Sequence, residues 1–261
     1  MNREFSEISQ QLETWYARDG GEFLYEALRD RLRPLLDVAF GYHTLQLGPL
    51  PLRNLLGPSP INHRILAGEE PAAGVSLVCH CGELPLESDS IDMVVALHTL
   101  DFCATPHQCL REMQRVLTPH GQLLIVGFNP ASLLGLSQRA RGLARRGPWR
   151  ALRPVSQGRL TDWLHLVGCE LEQFHHVCPL PLWGGEGLRR TVSRVDNWAM
   201  RRNLPGGSLY IAHAIKEVPN IRRVPERLAV PRRLMGLVPK PAASSGGMPR
   251  HPRRQGGDSA A

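Results

Sequence analysis

The chain has 261 residues, 42% of them apolar and only 6% aromatic, with a formal net charge of +7. That length suits one globular domain with extensions, or at most two small domains, and the apolar share is enough for a real core. The longest apolar run, around LLIVGF, is far too short for a bilayer-spanning helix.

The opening MNREFSEISQ is polar and has no apolar h-region of the kind that marks a secretory signal. Cysteines stand at 79, 81, 103, 109, 169 and 178, and none of the spacings is C-x-x-C. These features predict a soluble, cytoplasmic protein with free thiols. The charge is unevenly placed. Nine basic and three acidic residues follow from Glu217 onward, a net +6, which leaves +1 for residues 1–216. The tail 217–261 is rich in Pro, Arg, Gly and Ser and cannot bury enough apolar area to offset its ordering entropy. Disorder is expected there. Its charge reads as solubilising, or as a contact for nucleic acid or acidic lipid.

In chain order, Phe5, Ile8, Leu12 and Trp15 recur at helical spacing, Gly20 and Gly21 interrupt, and Leu24, Leu28, Leu32 and Leu35 resume the pattern. Two helices over 1–40 are predicted. Strands are predicted at 42–48, 62–68, 75–79 and 91–98, the last two rich in β-branched residues. Thr105, Pro106 and Gln108 read as a capping box opening a helix with Leu110, Met113 and Leu117 on its buried stripe. Thr118-Pro119-His120-Gly121 ends it, and a central strand is expected over 121–128. A helix from about Ser132 carries Arg139, Arg141, Arg145 and Arg146. Another fits 156–167, with Gly168 as its stop. Residues 169–177 alternate like a strand. Leu188, Val192, Val195 and Ala199 mark one more helix, and 207–218 a last strand.

Strands alternating with capped helices predict an α/β fold of three layers around a mostly parallel sheet. Ligands of such sheets bind at the carboxyl ends of the central strands, where strand order reverses. That directs attention to the chain after Leu47, after Val78 and after Leu97.

Residues 91–128 carry a set of motifs: Ile91-Asp92, His98-Thr99-Leu100-Asp101, Pro106, Leu110-Arg111-Glu112, Arg115-Val116-Leu117 and Pro119-His120-Gly121. Upstream, Leu84, Pro85, Leu86 and Ser90 complete an L-P-F-x-x-x-S-F-D-like segment. Together this block resembles the class I S-adenosylmethionine-dependent methyltransferases of the type 11 group. The resemblance implies a seven-stranded, Rossmann-like sheet over 41–216, S-adenosylmethionine as cofactor and methyl transfer to an acceptor, expected to be a small molecule. Residues 1–40 would form a helical cap.

Counting back from Leu84-Pro85 places Cys79-His80-Cys81 in the family's adenine-binding segment. There His80 occupies the position of an aspartate and Cys81 that of an alanine, followed by Gly82. A metal clip built from Cys79 and Cys81 is disfavoured by geometry. Residues two apart on a strand are separated by about 6.5–7 Å, whereas zinc–sulfur bonds of about 2.3 Å need sulfurs roughly 3.7 Å apart. No metal is expected there. After the first strand the family carries a glycine-rich loop. This chain reads Gln46-Leu47-Gly48-Pro49-Leu50-Pro51-Leu52, so one glycine remains and two prolines remove N–H donors. Glu69 or Glu70 stands where an acid would hold the ribose hydroxyls, in a connection too short for a crossover helix.

The implied cofactor contacts are therefore Gln46, Leu47, Gly48, His80, Cys81, Gly82, Leu97 and His98. His98 would act through its backbone, or be a satisfied polar group at a strand end. Asp101 is either near the acceptor or a local cap, and Asn129 either an acceptor contact or a turn residue. His175 and His176 adjoin on an alternating strand, so at least one points outward. Arg189, Arg190, Arg194, Arg201 and Arg202 read as a solvated helix face, or as a cover for the pocket. No residue declares itself a general base, which in-line displacement from a sulfonium does not demand. The lost glycines and the missing aspartate keep a second reading open: a non-catalytic binding or scaffold protein with a methyltransferase-like fold.

Overall fold

The computed structural model describes residues 3–144, 147–177 and 207–217. The helix expected around 188–199, the arginines at 189, 190, 194, 201 and 202, Arg145, Arg146 and the tail from 218 lie outside the described residues.

Seven strands form one sheet: β1 (His43–Leu47), β2 (His63–Gly68), β3 (Leu77–Val78), β4 (Ile91–Leu97), β5 (Leu117–Phe128), β6 (Cys169–Val177) and β7 (Leu209–Lys216). Their order is β3-β2-β1-β4-β5-β7-β6. The pairs up to β4–β5 are parallel, and β7 runs antiparallel to both β5 and β6. Order reverses between β1 and β4, so the crevice for a ligand lies beyond their carboxyl ends. Helices α1 (Arg3–Tyr16), α2 (Asp19–Asp37), α3 (Thr99–Phe102), α4 (Pro106–Val116), α5 (Leu133–Leu143) and α6 (Gln157–Val167) complete the described fold, with a short 3-10 turn at Gly147–Arg150.

The apolar runs of β4 and β5 feed two cores because alternate side chains leave opposite faces of a strand. Met93, Val95, Leu97, Leu124, Val126 and Phe128 join Leu12, Tyr16, Leu24, Leu28 and Leu32 of α1 and α2. Val94, Ala96, Leu123 and Ile125 face the other way, against Leu110 and Met113 of α4 and Leu160 and Leu164 of α6. The N-terminal helices thus share a core with the sheet.

Several local readings need correction. Gly20 and Gly21 do not separate the helices; they lie in the first turn of α2. Gly21 is needed for closeness, since a Cβ there would collide with the Trp15 carbonyl at the end of α1. Thr105 does precede α4, with Pro106 in its first turn, but its side chain makes no cap hydrogen bond. Gln108 instead donates from Nε2 to the Gly82 carbonyl oxygen at 3.0 Å, a tertiary partner that displaces the capping box. β5 starts at Leu117, ahead of the Pro119-His120-Gly121 turn, because His120 absorbs the bend at φ 63°. α6 ends as expected at Gly168, with φ 78°.

The family-like block is a brace as much as a site. The Arg115 guanidinium donates to the Leu84 and Leu86 carbonyl oxygens, both at 2.9 Å, and pairs with Glu112 at 2.8 Å. Glu112 in turn accepts from the Leu84 N–H at 2.9 Å. The R-E-x-x-R spacing on α4 therefore holds the L-P-L segment in place. Asp92, at the start of β4, does similar work: it accepts from the N–H groups of Tyr42 and His43.

Candidate functional site

At the carboxyl ends of β1, β2 and β3 the chain leaves three adjoining recesses of about 260, 20 and 310 Å³. Phe5 of α1 and Glu69, just past β2, line all three. Gly48 lines the first and second, Cys81 the second, and His80 the third.

The loop after β1 replaces glycines with bulk and is held from outside. Ser9 Oγ donates to the Pro49 carbonyl oxygen at 2.7 Å. Glu13 accepts from the Leu52 N–H at 3.2 Å and pairs with Arg53 at 3.3 Å. Arg53 also pairs with Glu22 at 2.7 Å and lies over the Tyr25 ring at 4.9 Å. Helix α1 is thereby clasped onto the loop it covers. Gln46 braces the loop from below. Its Nε2 donates to the Arg53 carbonyl oxygen and its Oε1 accepts from the Leu55 N–H, both at 2.8 Å. The Gln46 side chain is thus committed to the loop and turned away from the recess lining, while Leu47 and Gly48 reach it.

Gly48 has φ 147°, and a Cβ on it would run into the Leu97 carbonyl oxygen. That close approach keeps β1 and β4 together where they open onto the site. Leu97 itself is core.

Across the recess, Glu69 reaches His80 Nε2 at 3.6 Å. The Glu69 side chain is only 15% exposed, and burial raises its carboxyl above the ordinary value, with His80 opposing that rise. Of the two glutamates in the connection, only Glu69 lines all three recesses; Glu70 borders the first alone. Sequence reasoning left the two equivalent; the signal separating them is that Glu69 directly follows the last residue of β2. His80 Nδ1 accepts from the Gly82 N–H at 3.0 Å, which folds Cys79–Gly82 into a tight turn. Cys79 is half-buried beside it, its thiol pushed up to about 11 by burial and then by the Glu69 charge.

His98, Asp101 and Asn129 are engaged within the fold. His98 adopts φ 54°, is fully buried and stacks on Phe128 with centroids 4.1 Å apart. The Tyr16 hydroxyl meets its Nε2 at 2.7 Å, and its Nδ1 meets Asp101 Oδ2 at 2.9 Å. The same carboxylate oxygen accepts from the Phe128 N–H at 2.9 Å. With Tyr16 donating to Nε2 and Nδ1 donating to Asp101 Oδ2, both ring nitrogens of His98 are partnered, while Asp101 Oδ1 is buried with no partner among the described residues. Asn129 ties the end of β5 to the start of β7, donating from Nδ2 to the Gly207 carbonyl oxygen at 2.9 Å. His175 accepts from Arg31 at 2.8 Å, well away from the recesses.

Comparison with known proteins agrees with this architecture. A methyltransferase-domain family matches residues 56–125. The uncharacterized protein YafS of Escherichia coli K12 is 30% identical over 180 residues, covering 68% of this chain and 74% of its own. Among solved structures, an S-adenosylmethionine-dependent methyltransferase from Thermotoga maritima superposes with a TM-score of 0.63 at 18% identity, over 83% of this chain and all of its own. The methyltransferase bound to the Haloferax volcanii Trm112 activator gives 0.59 at 16% identity, over 81% and 98%. At those identities the structures speak for the fold. With the sheet order and the reversal point on the page, the chain carries a methyltransferase domain match over residues 56–125, has the Rossmann-like methyltransferase fold, and belongs to one family with YafS.

Proposed function

We propose that this chain binds S-adenosylmethionine in the recesses beyond β1, β2 and β3 and transfers its methyl group to a small-molecule acceptor. The observation that carries the reading is Glu69: a shielded carboxylate just past β2, the strand next to β1, with Gly48 in the lining of the same recess. Its chemistry fits a pair of ribose hydroxyls, which donate to a carboxylate. Leu47 and Gly48 would border the methionine end through their backbone. His80, Cys81 and Gly82 would border the adenine. The bound cofactor supplies an electrophilic methyl carried on a sulfonium. What the protein contributes is position: α1 roofs the site and excludes water, while the recess lined by Phe102, Ala104, Arg150 and Arg153 accommodates an acceptor beside it.

A second reading rests on one specific observation. The smallest of the three recesses, lined by Gly48, Cys81 and Thr99, measures about 20 Å³, and Pro49 in its lining is held by Ser9. A pocket narrowed in this way suits a protein that has kept the fold and lost turnover. Incubation with methyl-labelled S-adenosylmethionine and a small-molecule fraction of cell extract separates the two. Label in a low-mass product supports transfer. Cofactor binding without label in any product supports the binding or scaffold role.

A further inference from the structure

We infer that Cys81, Cys103 and Cys109 form a buried three-thiolate site for a thiophilic d¹⁰ cation, of which zinc(II) is the natural probe. The Cys79–Cys81 pair does not converge, since Cys79 stands free and only half-buried. Cys81 instead finds its partners 22 and 28 residues downstream, at positions that only the fold brings together. The Cys81 and Cys109 sulfurs lie within bonding distance, Cys103 Sγ is 3.4 Å from Cys81 Sγ, and Cys103 Sγ is 2.9 Å from Cys109 Sγ. All three residues are buried, with Cys109 fully so.

A disulfide uses two sulfurs and leaves the third, in contact with both, without a purpose. A thiophilic cation uses all three. With metal–sulfur bonds of about 2.3 Å, three sulfurs around one ion stand roughly 4 Å apart. The three sulfurs already lie within 4.8 Å of one another, so small side-chain rotations open the triangle to that size. Two features of the surroundings would orient thiolates once an ion is present. The Thr105 N–H donates to Cys103 Sγ at 3.2 Å, the backbone contact that orients a metal-bound thiolate. Cys109 is the fourth residue of the 11-residue α4, inside its first turn, where the helix N-terminus stabilises a thiolate. The three cysteines belong to the apolar core that also holds Leu84, Leu100 and Leu110, a dry setting that suits a soft ion and sulfur ligands. The structure joins Cys81 and Cys109 as a disulfide, so a thiol reductant first supplies two electrons and two protons to open it; each of the three thiols then gives up one proton to solvent as the ion binds.

Glu69 and His80 each offer a ligand atom within 4.8 Å of the Cys81 sulfur. The inference stands on the three thiols and does not depend on cofactor binding.

The test uses the full chain, reduced, freed of metal by a chelator and desalted under argon. Zinc(II) is titrated against a chromophoric competitor, and cobalt(II) replaces it for absorption spectroscopy. One zinc per chain is expected, with affinity falling on the order of 100-fold in Cys103→Ser and in Cys109→Ser, and unchanged in Cys79→Ser. Cobalt(II) is expected to show sulfur-to-metal charge-transfer bands that weaken with each serine. If a serine variant fails to fold by circular dichroism, the alanine variant at that position replaces it. The inference is overturned if the reduced chain takes up no zinc, or keeps a Cys81–Cys109 disulfide in its place. It is equally overturned if Cys103→Ser binds as tightly as wild type, or if Cys79→Ser loses the ion.

Discussion

Removing one oxygen from Tyr16 tests how the N-terminal helices are fixed to the sheet. Tyr16 is fully buried, and its hydroxyl meets His98 Nε2 at 2.7 Å. Burial, and then the Asp101 charge, hold its phenol well above the ordinary range, so it stays protonated and donates. In Tyr16→Phe the ring packing against Trp15 and Tyr25 survives, while His98 Nε2 is left as a buried acceptor without a donor. An orphaned buried polar group costs about 1–3 kcal/mol. For a domain of this size that lowers Tm by roughly 4–8 °C at the middle of the range. Urea unfolding followed by tryptophan fluorescence measures it, since Trp15 sits beside the ring. Tyr25→Phe is the control, because its hydroxyl reaches only the Asn54 carbonyl oxygen at 3.3 Å, in a partly exposed place. It is expected to lose less than half as much. A Tyr16→Phe loss below about 0.5 kcal/mol, or one no greater than the control, would refute the buried relay.

Three further outcomes follow from the geometry. Gly48→Ala places a methyl against the Leu97 carbonyl oxygen at φ 147°, and a loss of about 1–3 kcal/mol is expected in thermal melts. Arg115→Ala releases the Leu84 and Leu86 carbonyls, and hydrogen exchange should show loss of protection confined to residues 84–90 and the C-terminal half of α4. His175 is pushed down from 6.5 to about 4 by burial first and then by Arg31, His213 and His176. Its unfolded form therefore takes up a proton before its folded form does, so stability that is full above pH 6.5 is lost as pH falls toward 4. After discounting for solvent screening at a half-buried site, the loss is about 1–2 kcal/mol. His175→Gln should flatten that part of the pH–stability curve.

How much of this was legible in the sequence depends on how far apart the partners lie. The β4–α4–β5 block could be read directly because its signals are local: an apolar strand, Pro106 in the first helical turn, and a bend after it. The stop at Gly168 was legible for the same reason. What the sequence could not show was set by contacts across the chain. Gln108 fits a capping box by spacing, yet Gly82, 26 residues earlier, takes its amide. Gln46 occupies a position that suggests the cofactor, yet the loop seven to nine residues on claims both ends of its side chain. Asp101 is drawn inward by His98 and the Phe128 N–H. Glu69 was hidden because two glutamates adjoin, and only the register of β2 tells which one turns into the site. The cysteines were the hardest to read. The pair adjacent in sequence does not meet, while Cys81, Cys103 and Cys109 do.

The most direct measurement is isothermal titration of the full chain with S-adenosylhomocysteine, run beside Glu69→Gln. Wild type is expected to bind one molecule per chain, and loss of the carboxylate to weaken that binding about 10- to 100-fold, the range for a charge-assisted hydrogen bond. Binding that is unchanged in Glu69→Gln would contradict the placement of the ribose. No heat at high protein concentration would contradict cofactor binding altogether.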